Sequence, residues 1–323
     1  MLKRLLLRIL PVLALLAGCL VPVGASAQAY PNRPIRLIVP YGPGGNTDIV
    51  ARTYGQKLSE RLGQPVVFDN RGGAAGTLGV SLAAQAPNDG YTLVIGDIGS
   101  MVIANHSVPS LPYQATKDFA PIGLLCAVSI AVTTHPRSGV ASLQDLLERA
   151  RAQPGKLTYG SSGVGSPGHL ATALMLSMAK VEMLHVPFKG GAQAVGGLLG
   201  EQVDMLIDGT AVAQVTGGRL KAIAVTGERL AALPDVPGIG EIVPGYHFSN
   251  WWALLAPAGT PADIVKRLND ELRLIGAMPD VRERLRGLGL AATNSTPQQF
   301  AEHLRVETEK VARVVKEANI RFE

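Results

Sequence analysis

From residue 35 onward, short aliphatic and β-branched runs alternate with segments whose apolar residues recur every three to four positions. That alternation predicts parallel strands covered by helices. Residues 35–40, 65–68 and 91–95 predict strands, and residues 46–62 and 75–86 predict helices. In the first helix Ile49, Val50, Tyr54, Leu58 and Leu62 share a face and Gly63 supplies the stop. The alternation restarts with a helix at 143–152, a strand at 157–160, a helix at 167–179, a strand at 185–188, a helix at 193–199 and strands at 203–207 and 220–225. A strand at 251–256 comes next, then helices at 261–275, 281–288 and 297–317. Helices that long need a sheet to cover, and the first unit has a face to spare. The chain is therefore expected to cross twice, near Val128 and near Asn250, giving two α/β lobes on a double hinge with a cleft between them.

The residues before this pattern read differently. A short basic stretch through Arg8 precedes an apolar run that ends near Val23, with Ala25-Ser26-Ala27 just beyond it. This is the layout of a cleaved export signal over residues 1–27. Pro11, Pro22 and Gly24 interrupt the run, which argues against a membrane-spanning anchor. Leu16-Ala17-Gly18-Cys19 also resembles a bacterial lipobox, so two destinations stay open: a soluble periplasmic protein cut after Ala27, or one tethered by lipid on Cys19. In the first case only Cys126 remains and no intramolecular disulfide can form. Cys126 lies in the apolar stretch 122–132 and is expected to be a small buried hydrophobe.

Composition narrows the functional classes. The chain has 323 residues, 47% hydrophobic and 17% charged, which excludes a disordered protein. Loss of Lys3, Arg4 and Arg8 with the signal takes the formal charge from +5 to +2. With no basic run and 5% aromatics, nucleic acid is not an expected partner.

Three glycine-rich turns stand out, each joining a strand to a helix. Pro40-Tyr41-Gly42-Pro43-Gly44-Gly45-Asn46-Thr47-Asp48 can direct successive backbone N–H groups, and the leading amides of a helix, at an anion. It can equally be a tight turn capped by Asn46 or Thr47. Gly160-Ser161-Ser162-Gly163-Val164-Gly165-Ser166-Pro167-Gly168-His169 repeats the arrangement, with Ser166-Pro167 as N-cap and first helical residue. Lys189-Gly190-Gly191 adds a positive charge, and Asp208 either ends a strand at the same edge or caps the next helix. Strand carboxyl edges are where open α/β sheets bind ligands. The G-x-G-x-x-G spacing from Gly163 to Gly168 lacks the acid that would hold a ribose, since Lys189 stands near that position.

Catalytic signatures are sparse. There is no G-x-S-x-G elbow, no H-E-x-x-H and no metal-spaced Cys/His cluster, so no metal or cofactor is expected. Ser162 with His169 is the one pair from which a secreted serine hydrolase could be built, although their positions across a helix start favour separate structural roles.

Ordered motifs along the mature chain identify a family. They include Pro43-Gly44-Gly45 with Asp48 and Ala51-Arg52, Asn70-Arg71, Pro87-Asn88-Asp89-Gly90-Tyr91, Pro154-Gly155-Lys156-Leu157, Ser161-Ser162-Gly163 with Gly168-His169-Leu170, Val186-Pro187-Phe188-Lys189-Gly190, Leu233-Pro234-Asp235-Val236-Pro237 and Ala256-Pro257-Ala258-Gly259-Thr260-Pro261. Together they resemble the Bug-type periplasmic receptors of tripartite tricarboxylate transporters. The resemblance implies a two-domain periplasmic-binding-protein (Venus flytrap) fold, with residues 29–128 and 251–323 in one α/β domain and 129–250 in the other. It implies a monomeric, non-enzymatic receptor that captures a small mono- or dicarboxylate, an amino acid or aromatic acid included, and delivers it to membrane subunits. A ligand-presenting sensor would use the same cleft. Carried over residue by residue, it places Tyr41, Gly44, Gly45 and Asp48 on one side of the ligand and Ser162, Gly163, Ser166, Lys189, Gly190 and Asp208 on the other. Gly42 and Ile207-Asp208-Gly209 depart from the usual pattern of the family, at positions that bear on ligand identity.

Overall fold

The computed structural model describes residues 30–322 apart from 231 and 318. The expected signal at 1–27 and Cys19 lie outside the described residues. Arg33–Glu323 forms one compact unit. Its chain first builds β1 (Ile35–Val39), α1 (Asn46–Leu62), β2 (Val66–Asn70), α2 (Thr77–Ala84), β3 (Thr92–Asp97) and, after helical turns at Gly99–Ile103 and Ala104–Ser107, the long β4 (Phe119–Val128). Next come β5 (Ala131–Thr134), α3 (Leu143–Ala152), β6 (Thr158–Ser161), α4 (Pro167–Ala179), β7 (Leu184–Pro187), α5 (Gly191–Leu199), β8 (Met205–Ile207) and β9 (Lys221–Val225). The last elements are β10 (Asn250–Pro257), α6 (Ala262–Ala277), α7 (Pro279–Arg286), β11 (Ala291–Ala292) and α8 (Pro297–Glu317).

Local chemistry sets the helix ends. Gly63, at φ +67°, returns its N–H to Ser59 O at 3.1 Å and stops α1. Ser142 accepts the Asp145 N–H at the start of α3, and Ser166 accepts that of His169 at the start of α4, with Pro167 as first helical residue.

Two sheets result, in the orders β11-β4-β10-β3-β1-β2 and β7-β6-β8-β5-β9. The first three strands of the chain are parallel, as are β6, β7 and β8. Neither sheet is wholly parallel, however, which corrects the sequence expectation: β10 runs antiparallel to β3 and β4, and β5 antiparallel to β8 and β9. The reversed strands flank the points where the chain passes between sheets, and they enter without a covering crossover helix. The apolar stretch 122–132 spans the end of β4 and the start of β5, so the first passage falls just after Val128, where the sequence expected it. Cys126, in β4, is fully buried, and burial pushes its thiol up.

The two passages are clasped together. The Thr226 N–H donates to Ile130 O at 2.9 Å, its hydroxyl accepts the Ile130 N–H at 2.8 Å, and its carbonyl accepts the Phe248 N–H at 3.0 Å. One buried apolar cluster runs through this region, joining Ile38 and Val94 of the first sheet to Val132 and Met205 of the second by way of Phe248 and Trp251. A smaller cluster, including Val195, Leu198 and Leu206, lies under α5. The C-terminal helices return to the first sheet, where α6 and α8 pack on β4. In addition α8 packs on α4 of the second unit, and the Ser177 hydroxyl donates to Glu317 at 3.2 Å. Among the described residues no helix is long and apolar enough to cross a membrane.

Candidate functional site

The two units share one local topology. The chain runs from β1 to β2 on one side and then back across to β3 on the other; β6, β7 and β8 repeat the path with β6 in the centre. The carboxyl ends of β1 and β6 are thus equivalent switch points, where α/β sheets open a ligand crevice. The first two glycine turns occupy these positions.

In the first turn Gly44 takes φ +86° and Gly45 precedes α1 in an extended conformation, with no side-chain cap. The first intrahelical bond runs from Ile49 N–H to Gly45 O, so the Asn46, Thr47 and Asp48 amides are the leading donors of the helix. The buried Asp48 carboxylate turns back on its own turn. It accepts the Gly44 N–H at 3.0 Å, Arg52 Nε at 2.9 Å and Asn70 Nδ2 at 3.0 Å, while Asn70 Nδ2 also donates to Tyr41 O at 3.0 Å. Burial acts to raise the Asp48 carboxyl, but the bonds from Arg52, Gly44 and Asn70 outweigh it and hold the group below the usual carboxylate range. The Tyr41 phenol reaches Asp97 Oδ1 at 3.1 Å, where the Ser100 N–H and hydroxyl also converge. Burial raises the Asp97 carboxyl despite these donors. The second residue of α1 is fixed by Trp252 Nε1, which donates to Thr47 Oγ1 at 2.8 Å.

The second turn is built without charge. Gly163 and Gly165 take φ +133° and +75°, and the Ser166 N–H returns to Gly163 O at 3.1 Å. The second residue of α4 sits so close to β8 that a Cβ on Gly168 would lie 1.9 Å from Ile207 O. The third turn adjoins it. Phe188 N–H donates to Ser161 O at 2.9 Å, Lys189 N–H to Gln193 Oε1 at 3.2 Å, and Gly190 takes φ +115°. Asp208 accepts the Thr210 N–H at 2.9 Å and hydroxyl at 2.7 Å, which caps the helical turn Gly209–Ala211. Gly191 lies against this pair, where a Cβ would be 2.9 Å from Asp208 Oδ1. Ser162, Gly163, Ser166, Lys189, Gly190 and Asp208 therefore line one edge of the second sheet.

The hydrolytic pairing of Ser162 with His169 does not fit this geometry. His169 Nδ1 accepts the Gly165 N–H at 3.0 Å, and the serine that meets an imidazole is the fully buried Ser161, 2.7 Å from His185 Nε2. Sequence reading assigned no role to Asn70, Arg52, Asp97 or His185. Asn70 and Asp97 end the strands on either side of β1, and His185 is the register partner of Tyr159 across β6 and β7. Those positions are a usable signal only once the strand order is known. Among the described residues no three His, Cys, Asp or Glu side chains gather as a metal site would require. Two surface hollows, of about 430 and 240 Å³, flank α7, the first beside Arg282 and Arg286 and the second between Arg284 and the α1 residues Gln56 and Lys57, and neither touches the glycine turns.

Two α/β units with glycine turns at equivalent sheet edges, joined by a clasped double crossing, have the architecture of a solute-binding receptor of the periplasmic type. The chain belongs to the tripartite tricarboxylate transporter family receptors, whose family model matches residues 50–320. It is 39% identical over 295 residues, 90% of this chain and 88% of its relative, to a UPF0065 protein from the tcbD-tcbE intergenic region of Pseudomonas sp. strain P51. It is 33% identical to the protein BugT of Bordetella pertussis, over 98% of each chain. Among solved structures, R. palustris Rpa4515 with adipate aligns at TM-score 0.75 and 34% identity, covering 91% of this chain and all of the other.

Proposed function

We propose that this chain is an extracytoplasmic receptor that closes around a small mono- or dicarboxylate and delivers it to the membrane subunits of a tripartite transporter. The observation that carries the reading is the pair of glycine turns at equivalent switch points, one per sheet. The adipate bound by Rpa4515 supports the ligand class. In this reading residues 1–27 direct export, residues 29–128 with 251–323 form one lobe and 129–250 the other, and the lobes rotate about the Ile130–Thr226–Phe248 clasp. Gly44, Gly45 and the leading amides of α1 hold one end of the ligand beside Tyr41, with Asp48 shaping the turn. Ser162, Gly163, Ser166, Lys189, Gly190 and Asp208 receive the other end. The protein binds and releases its ligand without turnover.

Magnitudes make closure part of binding. A micromolar Kd corresponds to roughly 8 kcal/mol, whereas two helix ends supply at most about 4 kcal/mol together. Charge-assisted hydrogen bonds at about 1.5–3 kcal/mol each must supply the rest and offset the cost of ordering the lobes, which requires donors from both turns at once. The test is a thermal-shift screen of the purified protein against C4–C8 dicarboxylates, citrate, amino acids and aromatic acids, with solution scattering then recorded on the best acid. The expected result is a raised Tm with a smaller radius of gyration. Stabilisation without compaction would defeat the closing mechanism, and a response confined to sugars or nucleotides would defeat the ligand class.

A further inference from the structure

The second turn is bracketed by three stacked rings. Tyr159 and His185 lie 4.8 Å apart at 18° between planes, and His185 and His169 lie 3.9 Å apart at 14°. The stack sits beneath the turn, with His169 5% exposed. Each imidazole is tied to one part of the turn. His169 Nδ1 accepts the Gly165 N–H, so this nitrogen carries no proton. The Ser161 hydroxyl accepts the Gly163 N–H at 3.2 Å and donates to Gly163 O at 3.0 Å. At 2.7 Å it also meets Nε2 of His185, so the hydroxyl links that ring to the turn. With its Nδ1 unprotonated, His169 is neutral, and a ring 3.9 Å from a second imidazole has reason to remain so, since two imidazolium ions face to face would repel. Burial, with His185 as a further cause for His169, lowers both groups to about 4.

Resting on the carboxylate-receptor reading, we propose that His169 and His185 are positioning residues that aim the Gly163 and Gly165 segment of the second turn at the ligand. His169 sets Gly165 through a direct bond, and His185 sets Gly163 through Ser161. Neither imidazole supplies charge to the anion; the pair supplies direction to the backbone. An acceptor at the Nδ1 position is the required element, and the ring stack holds it in place.

Two variants separate these parts. His169→Phe keeps a stacking ring and removes the acceptor, whereas His169→Asn keeps an acceptor near Nδ1 and gives up the ring. In the ligand-free protein, amide exchange at Gly165 is expected to accelerate at least tenfold in His169→Phe and to stay within threefold of wild type in His169→Asn. Affinity for the acid that gives the largest thermal shift with wild type should show the same order, even though both variants lower Tm. A long-range ¹H–¹⁵N spectrum of the wild type should show Nδ1 of His169 unprotonated at pH 7, a readout independent of variant folding. Unchanged exchange in His169→Phe, equal affinity losses in the two variants, or a protonated Nδ1 would overturn the proposal. If exchange responds as expected and no acid in the panel binds wild type, the positioning role stands and the carboxylate reading fails.

Discussion

The two glycine turns occupy the same place in the same topology and are held by opposite means. The first is braced by a buried carboxylate, a guanidinium and an amide: Asp48, Arg52 and Asn70. The second is braced by neutral imidazoles and a hydroxyl: His169, His185 and Ser161. Their helix starts differ in the same spirit. Thr47 is pinned by a hydrogen bond from Trp252, while Gly168 is seated by direct packing on the backbone of β8. Backbone geometry at a switch point can therefore be kept while the side chains that enforce it are exchanged, and the two lobes need not respond alike to acid, salt or mutation.

The packed seat should be the most fragile part. Gly168→Ala places a methyl group inside the contact distance of Ile207 O, and the displacement of α4 from β8 should cost about 3 kcal/mol or more. In a unit of this size that lowers Tm by roughly 6–10 °C, readable by calorimetry. A wild-type Tm in Gly168→Ala would mean that α4 does not depend on this contact.

Asp48→Asn comes next. It removes the charge on which Arg52, Gly44 and Asn70 converge, and losing charge-assisted bonds worth about 3 kcal/mol should reduce carboxylate affinity on the order of 100-fold by titration calorimetry. An affinity equal to that of wild type would remove Asp48 as the brace of the first turn.

Acid should then separate the lobes. His169 and His185 lie near 4 in the fold against an ordinary value near 6.5, so between these limits the unfolded chain binds more protons. Their stabilising contribution is complete above about pH 6.5 and is lost as pH falls towards 4. Asp48, lowered in the fold, keeps its contribution through this window and loses it only as pH drops through its own depressed value. Lowering the pH from about 7 to about 5 should decrease Tm by about 5 °C and lower the exchange protection factor, the rate taken relative to the intrinsic rate at each pH, at Gly165 before Gly44. The reverse order at the two glycines would invert the assignment of braces.

The smallest effect expected is that of Thr47→Val. It leaves Trp252 Nε1 without its acceptor and should cost about 1–2 kcal/mol, a Tm shift of roughly 2–6 °C, with little change in affinity.

Much of this was visible in the chain before any fold. The glycine turns, the Ser166-Pro167 helix start and the bounds of α1, α3, α4 and α8 come from local spacing and capping, and the crossings near 128 and 250 come from the restart of the pattern. The braces do not. Asp48 meets Asn70 across 22 residues, and Ser161 meets His185 across 24, pairings fixed by strand order and not by sequence spacing. The reversed strands β5 and β10 were hidden for the same reason, since an apolar run does not declare its direction.

One contact at the end of the chain has a practical bearing on how this protein is handled. The ring of Phe322 lies against Gly165, so closely that a Cβ there would meet it at 2.2 Å. A purification handle or fluorescent fusion appended after Glu323 would begin two residues beyond a side chain seated on the second turn. Affinities measured with a handle at this end and with one ahead of residue 30 should be compared before either is taken as native.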